Sequence, residues 1–154
     1  MEETSLPQAS NGKHPDRSLP PDASAASLGG MKVVQLNHVA IPVADLEASI
    51  TFFRTILGLE PMPRPDFDFP GAWFRLGPHQ ELHLIGKAVN AAGPLPRERH
   101  TALRVIDIAA ARAHLEAHGI PFTGPTPRPD GVPQIFLRDP DGHAFELTQI
   151  DGIG

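Results

Sequence analysis

The chain has 154 residues, of which 40% are hydrophobic and 20% charged, and its net charge is −5. This length and composition are typical of one compact globular domain with its own core. The acidic balance disfavours a nucleic-acid partner, and the absence of cysteine excludes disulfides and thiolate metal sites. No apolar run approaches membrane-spanning length. The N-terminus lacks the basic and apolar regions of a signal peptide, so we expect a cytoplasmic protein.

Residues 1–30 differ in composition from the remainder of the chain. They are rich in proline, serine and alanine and contain no aromatic residue. Such a segment cannot bury enough apolar surface to offset the entropy that is lost on ordering. We therefore predict a disordered, dispensable tail over 1–30, followed by a folded domain over 31–154. Met31 is an alternative natural start.

After the tail, the periodicity of apolar residues predicts the same order of elements twice. Two helices each begin after an aspartate N-cap, Asp45 and Asp107, and end at a glycine, Gly58 and Gly119. Alternation of apolar and polar residues indicates strands on both sides of each helix. The predicted strands cover 33–43, 60–64, 71–77, 80–87, 98–106, 121–124, 133–138 and 143–150.

A repeat in the sequence supports this duplicated order. His38 aligns with His100 at an offset of 62 residues, and His83 aligns with Glu146 at an offset of 63. Self-similarity at such a distance indicates a duplicated structural unit. The predicted fold class is therefore α+β, with two βαβββ modules over about 34–90 and 97–150.

Four polar side chains occupy equivalent places on the predicted strands. Strand residues alternate between the two sides of a sheet, and the side opposite each of the four is mainly apolar. The four side chains should therefore project from the face that the helices leave uncovered. They are His38, His83, His100 and Glu146.

This set of donors predicts a metal centre. Imidazole nitrogens and a carboxylate oxygen together suit zinc, nickel, iron, cobalt or manganese. A single strand histidine is more often a partly buried polar residue than a ligand, but two symmetry-equivalent pairs on one face favour coordination. We predict one divalent ion held by His38, His83, His100 and Glu146.

Four segments of the chain resemble the vicinal oxygen chelate superfamily. They are LNHVAIPVADLEASITFFRTILGLE, GAWFRLGPHQELHLIG, RHTALRVIDIAAARAHLEAHGI and FLRDPDGHAFEL, and they cover most of 36–149. The superfamily includes glyoxalase I, methylmalonyl-CoA epimerase, extradiol dioxygenases and bleomycin-resistance proteins. The resemblance implies the glyoxalase-like fold, in which paired βαβββ modules form an open, cupped mixed sheet around a metal. The ligand positions of the superfamily fall on the four residues named above.

The resemblance also implies a reaction class. A lyase, isomerase or epimerase would bind a small substrate through adjacent oxygens, with Glu146 as the catalytic group that moves a proton. Glyoxalase I typically has glutamate at the position of His83, so Glu81, on the same face, is a candidate substitute or a surface ion-pair residue. Arg104 and Arg138 are candidates for holding a substrate carboxylate, with ordinary ion pairing as the alternative.

Two other functions remain open. An extradiol-type dioxygenase would use only His38, His100 and Glu146, and would keep three positions on the metal for a catecholate and oxygen. Coordination by His83 would remove one of these positions and would disfavour ring cleavage. A non-catalytic protein like the bleomycin-resistance group would bind its ligand in the same trough without a catalytic metal, which the complete set of four ligands disfavours.

Two expectations concern the trough and the assembly. Phe67, Phe69 and Trp73 are candidates for the mouth of the trough, although core packing is the favoured interpretation for Trp73. An open sheet of eight short strands with only two helices leaves edges and apolar surface uncovered. We therefore expect a homodimer, with the metal site formed either within one chain or between two.

Overall fold

The computed structural model describes residues 33–87 and 94–151, and the predicted tail over 1–30 lies outside them. The first module contains β1 (His38–Val43), α1 (Leu46–Thr55), β2 (Glu60–Met62), β3 (Gly71–Leu76) and β4 (Gln80–Gly86). The second contains β5 (His100–Arg104), α2 (Ile108–Ala117), β6 (Phe122–Pro127), β7 (Pro133–Arg138) and β8 (Ala144–Thr148). The same order occurs twice, which confirms the predicted α+β fold of two βαβββ modules.

Each module forms its own four-stranded mixed sheet. The strand orders are β1-β4-β3-β2 and β5-β8-β7-β6. The first and last strands of each module are parallel, and the other pairs are antiparallel. In the registers observed, His38 pairs with Glu81 and Ala102 pairs with Glu146. Each module therefore places its two predicted ligands on adjacent strands.

Two strand boundaries differ from the sequence prediction by three residues or more. β1 begins at His38, because residues 33–37 have no regular secondary structure. β6 extends to Pro127, although two prolines interrupt its ladder of hydrogen bonds. Prolines are tolerated there because β6 is an edge strand, and its register with β7 shifts between Thr123 and Thr126.

Both helices have the predicted caps. Asp45 accepts a hydrogen bond from the backbone of Ala48, and Asp107 accepts from Ala109 and Ala110, so both N-termini are satisfied by a carboxylate. The chain leaves each helix through a glycine at φ 64°, where an L side chain would be strained. Each helix has 10 residues, and among the described residues no helix is long and apolar enough to cross a membrane.

One hydrophobic core joins the two modules. Phe53 of α1 is fully buried and packs against Phe74 of β3, with ring centroids 6.0 Å apart, and against Phe145 of β8, at 5.4 Å. Leu115 of α2 is buried in the same cluster. Because strand residues alternate between faces, the faces that carry the predicted ligands point away from this core.

The turn between β7 and β8 connects the modules a second time. Asp139 and His143 are buried and form an ion pair, with Nδ1 of His143 2.8 Å from Oδ2 of Asp139. The hydrogen bond to Asp139 raises the pKa of His143 more than burial lowers it. In the same turn the carboxylate of Asp141 accepts from the backbone N–H of Ala44, between β1 and α1. This turn therefore sets the position at which β8, the strand that carries Glu146, begins.

Candidate functional site

The first sheet carries His38 and His83, which we call the N-terminal pair. Both project from the outer face, where the ring of His83 is stacked between two others. Trp73 lies on one side, with ring centroids 4.0 Å apart and planes 5° apart, and His38 lies on the other, at 4.3 Å and 14°. Nε2 of His83 lies 2.7 Å from Oε2 of Glu81 and donates to it. Trp73, for which core packing was the favoured interpretation, therefore stacks on His83 at the outer face.

The stack determines how the N-terminal pair can bind a metal. An imidazole coordinates an ion in its own plane, along the lone pair of an unprotonated nitrogen. Two nearly parallel rings 4.3 Å apart do not direct their lone pairs at one point. With the rings as placed, His38 or His83 can hold an ion, and coordination by both requires one ring to rotate.

The second sheet carries His100 and Glu146, which we call the C-terminal pair. Nε2 of His100 lies 3.0 Å from Oε2 of Glu146. Glu146 is only 4% exposed, and its other oxygen accepts from the amide of Gln134 at 2.7 Å. The ring of Phe136 stands edge-on to His100, with centroids 5.4 Å apart. Gln134 and Phe136 of β7 therefore hold this pair in place.

His38 and His100, which lie on the first strand of each module, have the same hydrogen-bonding pattern at Nδ1. Nδ1 of His100 donates to the carbonyl of Arg97 at 2.9 Å, and Nδ1 of His38 donates to Oδ1 of Asn37 at 2.8 Å. A proton fixed on Nδ1 leaves the lone pair of a neutral ring on Nε2. Metal-binding histidines are commonly oriented by such an acceptor behind the ring. The chemistry of both histidines therefore fits a metal ligand.

Within one chain the two pairs do not form a single site. Among the described residues, no three or more His, Cys, Asp or Glu side chains are grouped so that they could hold one ion. This follows from the fold, because the pairs lie on the outer faces of two sheets whose inner faces share a core. One chain therefore presents two half-sites, each with two of the predicted ligands.

Two cavities flank these elements, and they differ in character. One of about 560 Å³ lies beside the C-terminal pair and is lined by Arg97, Phe136 and Arg138 among others. One of about 640 Å³ lies between the modules and is lined mainly by apolar side chains of β5, of α2 and of the segment that follows α1. The smaller cavity is the better candidate for a substrate, because it adjoins polar groups with defined positions.

The residues predicted to bind substrate have different surroundings. Arg138 donates to the carbonyls of Leu95 and Gly142, so part of its guanidinium holds the chain in place, although it lines the smaller cavity. Arg104 is exposed and lines the larger, apolar cavity. Glu81 is the hydrogen-bond partner of His83.

Sequence reasoning missed several residues around the pairs. Gln134 could have been found, because it lies two positions before Phe136 and therefore on the outer face of β7. Arg128 could not, since its position depends on the loop after β6. Its hydrogen bonds to Asp130 lower the pKa of that carboxyl to about 2. The pKa of Arg128 is raised mainly by the same bond and more weakly by the charge of Glu146.

Comparisons with known proteins agree with this geometry. A family model described as Glyoxalase/Bleomycin resistance protein/Dioxygenase superfamily matches residues 35–147. Ethylmalonyl-CoA/methylmalonyl-CoA epimerase of Cereibacter sphaeroides is 35% identical over 132 residues, covering 75% of this chain and 98% of that protein. Glyoxylase I 4 of Arabidopsis thaliana is 27% identical over 131 residues, covering 80% and 75% respectively. These enzyme names support a glyoxalase-like enzyme.

A solved structure shows the same fold. Lactoylglutathione lyase from Agrobacterium tumefaciens aligns with a TM-score of 0.62 at 22% sequence identity, and the alignment covers 77% of this chain and 95% of the other. At this identity the likeness establishes the shared architecture of the two modules.

Proposed function

Because the chain belongs to the Glyoxalase/Bleomycin resistance protein/Dioxygenase superfamily, we propose that it is a divalent-metal-dependent isomerase, epimerase or lyase acting on a small molecule. The observation that carries this proposal is the orientation of His38 and His100. Each ring has its Nδ1 proton fixed by an oxygen acceptor, which leaves Nε2 for an ion. Glu146 supplies a carboxylate next to His100.

The metal would be held by His38, His100 and Glu146, with His83 as a fourth ligand if its ring rotates. Zinc, nickel, iron, cobalt and manganese all accept this mixture of nitrogen and oxygen donors. When bound, the ion supplies Lewis acidity to two adjacent oxygens of the substrate.

The protein itself provides two groups that can move a proton. Glu146 is a buried carboxylate that accepts a hydrogen bond from the amide of Gln134. On the N-terminal half-site, Nδ1 of His83 can accept a proton while Glu81 stabilises the resulting imidazolium through Nε2. Groups on two half-sites suit an epimerisation, in which a proton leaves one face of a carbon and returns to the other. The relative at 35% identity is named an epimerase of acyl-CoA esters, which supports this reaction class.

A complete site requires two chains. A two-fold homodimer can place the N-terminal pair of one protomer against the C-terminal pair of its partner, and the symmetry then creates two equivalent sites. This arrangement is favoured because each chain presents its pairs on outward faces, away from its own core.

The stack around His83 favours a second candidate, an extradiol-type dioxygenase. If His83 stays between Trp73 and His38, with Nε2 bonded to Glu81, the ion has two histidines and one carboxylate. That set is typical of non-haem iron oxygenases, with open positions for substrate and oxygen.

Metal analysis of purified variants tests the ligand assignment. We expect His38→Ala and Glu146→Gln to lose most of the bound metal measured by mass spectrometry of the elements. His79→Ala is the matched control, because His79 is an exposed histidine in the turn before β4. Unchanged metal content in both ligand variants would contradict the site. His83→Ala separates the two candidates: a loss of metal indicates four ligands, and full retention indicates three.

Activity measurements then identify the reaction. Deuterium exchange at the α-carbon of 2-acyl-CoA esters reports epimerisation, and conversion of methylglyoxal–thiol adducts reports the lyase reaction. Oxygen uptake with catechols reports ring cleavage. Exchange that is abolished by Glu146→Gln and is retained by His79→Ala is the result we expect.

A further inference from the structure

The loop between β2 and β3 places an arginine on the outer face of the first sheet. The side chain of Arg64 lies against Gly71, the first residue of β3. Gly71 is two residues before Trp73, and alternation puts both on the same side of the strand. A Cβ atom at Gly71 would lie 2.5 Å from the carbonyl oxygen of Leu84 and 3.2 Å from Nε of Arg64, so Arg64 packs directly against the strand. The ring of Phe67 contacts both this guanidinium and Trp73, so the guanidinium lies beside the N-terminal pair.

Two aromatic rings hold this guanidinium. Its central carbon lies 4.7 Å from the ring centroid of Phe67 and 4.9 Å from that of Phe69, which is the range of a cation–π contact. A second cation, Nζ of Lys87, lies 5.7 Å from the Phe69 ring. The two phenyl centroids are 5.2 Å apart, so both rings contact the same side of this positive charge.

The hydrogen-bonding capacity of Arg64 is largely unused. A guanidinium has five N–H donors, and among the described residues the structure gives this one a single hydrogen bond, from Nη2 to the carbonyl of Phe69 at 2.7 Å. Nε is buried without an acceptor. Asp66 and Asp68 belong to the same loop, yet Arg64 takes part in no ion pair with a described carboxylate. A partly buried cation without a counter-ion is costly, and an anion would offset that cost.

From these observations we propose that Arg64 binds an oxyanion, a carboxylate or a phosphate, carried by the substrate. The proposal rests on the proposed function, since it concerns the other end of a substrate held at the N-terminal pair. Gly71 and Trp73 are two residues apart, so the subsite lies about 7 Å along the strand from the row of His83. The substrate class is therefore a small molecule with two oxygens for the metal and a separate anionic group.

Trp73 is the only tryptophan in the chain and lies between Phe67 and His83, with ring centroids 6.0 and 4.0 Å away. Its fluorescence therefore reports on this subsite. The experiment titrates the metal-free full-length protein with propionate or with inorganic phosphate, at an ionic strength kept constant with chloride. We expect a saturable change in fluorescence with at least one of the two probes. Saturation by propionate alone, phosphate alone or both identifies the oxyanion that the subsite accepts.

The variants test whether Arg64 is responsible. Loss of a charge-assisted hydrogen bond should weaken binding of the probe at least about tenfold in Arg64→Gln. Arg64→Lys keeps the charge but lacks the planar fork, so we expect an intermediate affinity. Arg54→Gln removes an exposed arginine at the end of α1 and should leave the affinity unchanged. Circular dichroism and the melting temperature show whether each variant is folded.

A measurement on the unmodified protein covers the case in which Arg64 variants do not fold. The Nε–H resonance of Arg64 in a ¹⁵N spectrum should shift saturably with the anion that changes the fluorescence. Equal affinity in Arg64→Gln and wild type, no response beyond that of chloride, or an unchanged Nε–H resonance would each overturn the proposal. Because the protein is metal-free throughout, these results are independent of the metal site and of its activity.

Discussion

Replacing Asn37 by alanine tests whether the acceptor behind His38 contributes to metal binding. Oδ1 of Asn37 accepts from Nδ1 of His38 at 2.8 Å, and this bond fixes the lone pair of the neutral ring on Nε2. Asn37 is exposed and lies outside the regular strand, so the change should leave the fold intact. The variant isolates the orientation of the ligand from the ligand itself.

The expected magnitude follows from the exposure of this hydrogen bond. A neutral hydrogen bond contributes about 0.5 to 1.5 kcal/mol net, which corresponds to about two- to thirteenfold in affinity. Acceptors behind buried metal-binding histidines contribute about 10- to 100-fold. Since water can replace the exposed amide of Asn37, we expect a loss at the lower end, about threefold to tenfold. Removal of the ring in His38→Ala should cost far more.

Competition with a chromophoric chelator measures the affinity of each variant for zinc. ¹⁵N spectra of the metal-free protein show which nitrogen of His38 carries the proton, and we expect Nδ1–H in wild type and a mixture of tautomers in Asn37→Ala. The melting temperature of the variant should stay within about 1 °C of wild type. A variant with unchanged tautomer and unchanged zinc affinity would refute the role assigned to this hydrogen bond.

Three further outcomes follow from the fold. Phe53→Ala should lower the free energy of unfolding by about 3 to 5 kcal/mol and shift a single calorimetric transition, because Phe53 packs on both sheets; two separate transitions would show independent modules. Because the pKa of His143 is raised in the folded protein, its pairing with Asp139 stabilises the fold fully when the pH is below the ordinary pKa of histidine. This stabilisation is lost as the pH rises through the raised pKa. Wild type should therefore lose stability more steeply than His143→Gln between the ordinary pKa of histidine and the raised one, and equal slopes in urea titrations would contradict this. Sedimentation should show a dimer with two metal ions, and a 16.6 kDa species at micromolar concentration would refute the assembly.

The sequence predicted the fold well, because alternation and capping are local properties. Asp45 and Asp107 cap the helices as expected, and the repeat at offsets 62 and 63 correctly indicates two modules of the same order. The predicted end of β6 was wrong because an edge strand accepts prolines that a sequence pattern treats as a loop.

The details of the candidate site could not be predicted, because they depend on register and rotamers. Alternation placed His83 on the outer face, but only the pairing of β3 with β4 sets it opposite Trp73. The corresponding pairing of β7 with β8 brings Gln134 near Glu146. The distribution of the four predicted ligands over two outward faces is a tertiary property, and no spacing within one chain specifies it.

The single core that joins the modules has an evolutionary consequence. A single module would expose the apolar face that the other module covers, so two separate copies of it would have to associate. The repeat in the sequence is what a gene duplication that fused two such copies would produce. Once the two halves were encoded separately, each could change alone. Position 83 and its counterpart 146 now differ, with histidine in one half and glutamate in the other, so the two proposed half-sites carry groups of different acid–base chemistry.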